Sequence, residues 1–115
     1  NYAKELFLDS EFELVVYDDH SDESAINEIK KNLNIATFKT VFIPLDTYGI
    51  MPSILKCYEH GRDYGKEFVY FAQDDYLYEQ SAIYDMMLTM MHTSNALQKF
   101  TCIYPFDDPY TLLIL

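Results

Sequence analysis

An α/β fold, with a mostly parallel sheet and flanking helices, is predicted by three features of this 115-residue sequence. Strand-like and helix-like patterns alternate along the chain. Each strand-like run ends in a polar, acid-rich cluster. Hydrophobic residues make up 50% of the total, enough to form a core. Alternation of this kind reads as strands joined by right-handed crossovers, and the length fits one domain spanning residues 1–115.

The elements follow in order. Ala3, Leu6 and Phe7 give residues 2–8 the spacing of a short helix. "FELVVY" (residues 12–17) is rich in β-branched and aromatic side chains and reads as a strand. The polar turn "DDHSDES" follows, and Ser21 or Asp22 can cap the next helix by accepting a free backbone N–H. Ala25, Ile26, Ile29 and Leu33 form that helix's apolar face. "FKTVFI" (residues 38–43) is a second strand and "PLDTYG" the break after it. Ile50, Ile54, Leu55 and Tyr58 mark a helix ending near Gly61. "EFVYFA" (residues 67–72) reads as a third strand and "FTCIYP" (residues 100–105) as a fourth. Between them, residues 79–97 form the longest helix, with Ile83, Met86, Met87, Met90 and Met91 as an inner stripe.

Charge narrows the partners. Eight Lys and Arg stand against 19 Asp and Glu, a net charge of -11. Binding to a nucleic-acid backbone needs clustered cations, so nucleic acid is excluded, as is an anionic membrane surface. No apolar run approaches the ~20 residues of a membrane span, and no signal peptide is visible. Cys57 and Cys102 lie far apart without metal-ligand spacing and read as buried, reduced thiols of a cytoplasmic protein. The chain starts at Asn1 and ends on "TLLIL", so it reads as a piece of a longer polypeptide.

In parallel sheets, ligands bind outside the carboxyl ends of the strands. Asp18, Asp19, Asp46, Asp74, Asp75, Asp107 and Asp108 all follow strand-like runs and are expected along that edge. Adjacent carboxylates repel unless water or a cation intervenes. A solvated turn accounts for one such pair. Three Asp-Asp steps at strand ends point instead to a hard divalent cation, Mg²⁺ or Mn²⁺, which takes oxygen ligands and is often completed by substrate phosphates.

"ELVVYDDHSDES" resembles the strand and turn of family 2 and related glycosyltransferases with the type-A fold, written V-V-D-D-G-S-x-D. "FVYFAQDDYL" is similar to their metal-binding segment, a strand ending in D-x-D or E-D-D. Between the two, "IPLDTYGIMPSILKCYEHGRDYGKEF" resembles a relaxed form of their N-x-G-x-x-x-A-x-N-x-G helix. The order and spacing match over residues 2–97. The resemblance implies a Rossmann-like nucleotide-diphospho-sugar transferase fold, present in part. It also implies sugar transfer from a nucleoside-diphosphate sugar to an acceptor hydroxyl. By the same resemblance Asp18 contacts the base, Asp19 shapes the turn and Gly49 lets backbone approach the nucleotide. Asp75 then binds the metal, with Asp74 beside it contacting ribose or metal-bound water.

The departures are specific. His20 replaces a glycine, so a different turn is expected after Asp19, and Gln73 stands where an acid is common. The family's general base has no counterpart, so no catalytic residue is assigned within this chain. The family's central first strand is also unmatched. With the apolar tail, that gap leads to an expectation of self-association into a homo-oligomer. Two other readings stand beside this one. The first is a non-catalytic α/β nucleotide-binding module. The second is a receiver-like signalling domain, against which count "QDDY" and the lack of a lysine after "FTCIYP".

Overall fold

The first strand, β1 (Glu13–Asp18), pairs in parallel with β2 (Lys39–Pro44). The register sets Glu13 opposite Lys39, Val16 opposite Phe42 and Asp18 opposite Pro44. These contacts come from a computed structural model that describes residues 11–72 and 78–103. A 2.7 Å ion pair between Lys39 and Glu13 opens the ladder, an exposed contact of little energetic weight. At the other end the Leu45 N–H donates to the Asp18 carbonyl at 2.9 Å, extending the pairing past the last strand residue.

The crossover between the strands is α1 (Glu23–Leu33). Of the two capping residues the sequence offered, Asp22 takes the role: its carboxylate accepts the Ala25 N–H at 2.8 Å. Lys30 and Lys31 lie in the last turn, where the helix dipole favours cations. The Lys30 ammonium stands 5.2 Å from the centre of the Phe42 ring, which brings the last turn of α1 to the sheet face that carries Phe42 and Val16.

After β2 comes α2 (Ile50–Tyr64), which packs on β1. Successive strand side chains point to opposite faces, so Tyr17 faces away from Val16. Its hydroxyl bonds the His60 imidazole at 2.8 Å, which fixes α2 on the second face. α2 therefore packs on the Tyr17 face of β1, and the last turn of α1 reaches the Phe42 face through Lys30. Burial pushes the Tyr17 hydroxyl and the Cys57 thiol above their ordinary values. The helix continues past the stop expected at Gly61 and ends at Gly65, whose N–H donates to the Gly61 carbonyl at 2.9 Å.

Two expectations for strands are corrected. Residues 67–72 form no strand. Phe71 instead packs edge-on against Tyr58 with ring centres 4.7 Å apart, and the segment lies against the C-terminal half of α2. Aromatic and β-branched runs favour a pleated surface through side-chain packing more than through the backbone itself; here the packing partner is a helix. Residues 100–103, the described part of the expected fourth strand, also form none. They fold back on α3 (Ala82–Leu97), where the Thr101 hydroxyl bonds the Ser94 hydroxyl at 2.7 Å and the Thr101 N–H donates to the same oxygen.

The chain divides into two compact units, Asn1–Leu77 and Tyr78–Leu115. The first contains the sheet with α1 and α2, the second α3. Within the second, the methionine stripe is only half-covered, and Met91 is 40% exposed. The reading of two buried thiols holds in neither case: Cys57 is half-buried, and Cys102 is exposed because residues 100–103 do not enter a sheet. No helix among the described residues is long and apolar enough to cross a membrane.

Candidate functional site

Parallel pairing puts the carboxyl ends of β1 and β2 side by side, so the loops at residues 19–22 and 45–49 emerge together. Among the described residues, only Asp18 and Leu45 are buried, and both belong to this junction. Asp18 is 5% exposed. A carboxylate so placed needs donors, and the Ser21 N–H supplies one at 3.3 Å.

Asp19 joins the two loops. One carboxylate oxygen accepts the Gly49 N–H at 2.9 Å, across 30 residues of sequence. The other lies 3.1 Å from His20 Nδ1. An ionised carboxylate only accepts, so Nδ1 carries the proton. The His20 bond holds the Asp19 carboxyl below its ordinary value, and the Gly49 N–H acts in the same direction. Ser53 donates its hydroxyl to the Gly49 carbonyl at 2.8 Å, which ties the first turn of α2 to the junction.

Two residues here have left-handed backbone. Gly49, the residue before α2, has φ 109° and ψ 159°, a region open to glycine and closed to other residues. His20 has φ 63°. The sequence led us to expect a different turn where His20 stands in place of glycine; His20 here has the left-handed backbone that glycine adopts readily. A side chain there costs about 1 kcal/mol or more. Two contacts hold the imidazole in place: the Asp19 carboxylate and the ring of Tyr48, stacked 3.5 Å away and tilted by only 12°.

Of the residues singled out from the sequence, Asp18, Asp19 and Gly49 meet at this junction. Asp46 lies exposed in the same loop as Gly49. Asp74 and Asp75, assigned to the metal, lie outside the described residues, as do Gln73, Asp107 and Asp108. Among the described residues no three His, Cys, Asp or Glu side chains gather closely enough to hold a metal ion. Sequence reasoning missed Tyr48 and Ser53. Their one signal was adjacency to Gly49, in "TYGIMPS".

The acid titration of Asp19 gives a direct test of the junction. A carboxyl depressed in the fold contributes stability that is present above its unfolded value of about 4. That contribution is lost as pH falls through the lower folded value. The stability gap between wild type and Asp19→Asn should therefore be constant above about pH 5 and close as the pH drops below about 4. A gap that persists unchanged to low pH, read from urea unfolding, would show that Asp19 acts through shape alone.

No protein-family model, curated protein or solved structure matches this chain. The fold and the junction define an α/β unit with two loops tied together at the carboxyl ends of parallel strands.

Proposed function

We propose that this chain is the nucleotide-binding part of a glycosyltransferase that takes a nucleoside-diphosphate sugar as donor. One observation carries the reading. The Asp19 carboxylate accepts the Gly49 N–H at 2.9 Å, so two segments with transferase-like motifs meet where such sheets bind ligands. In this reading Asp18 contacts the base of the donor, Asp19 shapes the turn, and Gly49 lets backbone approach the nucleotide. Asp75, supported by Asp74, would bind Mg²⁺ or Mn²⁺ on the diphosphate. The metal, when bound, would stabilise charge on the departing nucleoside diphosphate. The acceptor and the general base are assigned to no residue of this chain.

Calorimetry on the full chain tests the reading. One acid pair supplies too few ligands alone, so Mn²⁺ should bind weakly by itself and more tightly with uridine or guanosine diphosphate present. Asp75→Asn should lose that gain, and Asp74→Asn should lose less of it. Equal nucleotide affinity in the presence of chelator, or an unaltered Asp75→Asn variant, would refute the metal site. Gln73, standing where an acid is common, favours a second reading: a module that binds nucleotide without transferring sugar. Metal-dependent binding with neither transfer nor hydrolysis would select it.

A further inference from the structure

We infer that the stacked His20 and Tyr48 rings form a platform for the flat ring of the ligand, with the base of a nucleotide lying on the outer face of Tyr48. The class of ring rests on the nucleotide reading above; the platform itself rests on geometry. His20 and Tyr48 come from two different strand-end loops, yet their rings are nearly parallel at 3.5 Å. The imidazole is fixed at its edge by Asp19, and Asp19 is fixed in turn by the Gly49 N–H beside Tyr48. Tyr48 is thus backed on one face while 76% of its surface stays open to solvent. A rigid, supported aromatic face is what a purine or pyrimidine needs, since each base presents a π-face and stacking tolerates any of them.

The strain at His20 argues against an incidental contact. A residue without a side chain would occupy φ 63° at no cost, whereas His20 keeps its ring at that point and aims it at Tyr48. Backbone strain of this kind concentrates at ligand sites. Tyr48 also extends the junction in the right sense. In the nucleotide reading Asp18 takes the polar edge of the base, and Tyr48 supplies the apolar face that an acid lacks.

The sequence contains no tryptophan, so Tyr48→Trp in the full chain introduces a unique fluorophore at the platform. Uridine and guanosine monophosphates should quench its emission, and ribose 5-phosphate, which has no base, should not. Tyr48→Ala should weaken binding of the two nucleoside diphosphates about tenfold or more, while Tyr48→Phe keeps it. His20→Ala should give an intermediate loss, because the platform then lacks its backing. The arms separate the two ideas. Diphosphate binding that needs Mn²⁺ but is equal in Tyr48→Ala overturns the platform and leaves the nucleotide reading standing. Binding that needs Tyr48 but not Mn²⁺ supports the platform and removes the metal. Quenching by ribose 5-phosphate equal to that by the nucleotides, or no nucleotide binding in any arm, overturns the platform.

Discussion

Replacing Gly49 with alanine is expected to destabilise the protein by about 1–3 kcal/mol. Space is not the reason: the nearest atom to an added Cβ would be Pro52 Cδ at 3.8 Å, an ordinary contact. The cost lies in the backbone. At φ 109° and ψ 159° a side chain collides with its own peptide units, and alanine must rotate out of that region. Rotation turns the Gly49 N–H away from Asp19 and shifts the start of α2, which the Ser53 hydroxyl anchors to the Gly49 carbonyl. The urea midpoint of Gly49→Ala should fall clearly. Thr47→Ala, at an exposed position in the same loop, should change stability by less than about 0.5 kcal/mol. Equal midpoints for the two variants would show that the strained turn is unimportant to the fold. Because the backbone change loosens the tie between the two loops, Gly49→Ala should also weaken nucleotide binding in the calorimetric test.

The second large effect is expected at Gly65. A Cβ there would run into the carbonyl oxygen of Gly61, the acceptor for the Gly65 N–H, and into the Val69 side chain. A carbonyl held within a helix does not swing aside. Gly65→Ala must therefore break the terminal hydrogen bond or displace the chain that follows, at about 1–3 kcal/mol. Gly61→Ala makes the contrast. Its added methyl meets the far edge of the Phe71 ring at 2.6 Å, but Phe71 is 45% exposed and can turn outward. Alanine inside a helix also recovers about 0.5–1 kcal/mol relative to glycine. The net change at Gly61 should be small and that at Gly65 large, measured by thermal or urea unfolding. Equal losses at both positions would mean that packing of the 67–72 segment, rather than the helix-end carbonyl, controls this region.

The elements that could be read from the sequence are those whose signals are local. Val15, Val16 and Tyr17 mark β1 by residue type, and Val41, Phe42 and Ile43 mark β2. Asp22 announces α1 through a hydrogen bond to a residue three positions on. Where a segment's state depends on a distant neighbour, the sequence was less informative. "EFVYFA" has strand composition, yet residues 67–72 make no ladder and pack on α2 through Phe71 and Val69. Thr101 turns the next strand-like run back on α3 by bonding Ser94.

The candidate site divides the same way. Asp18, Asp19 and Gly49 were named from motif and position, since each closes or follows a strand. The bond between Asp19 and Gly49 depends on a register that sets Asp18 against Pro44, and register is a property of the paired strands rather than of either one. His20 could be seen in the sequence only as a substitution for glycine. Its left-handed backbone and its stack on Tyr48 became visible only in the fold. No pattern in "LDTYG" distinguishes Tyr48 from any other loop tyrosine. Its place opposite His20 was decided by tertiary structure, because only parallel pairing of β1 with β2 brings the two loops within stacking distance.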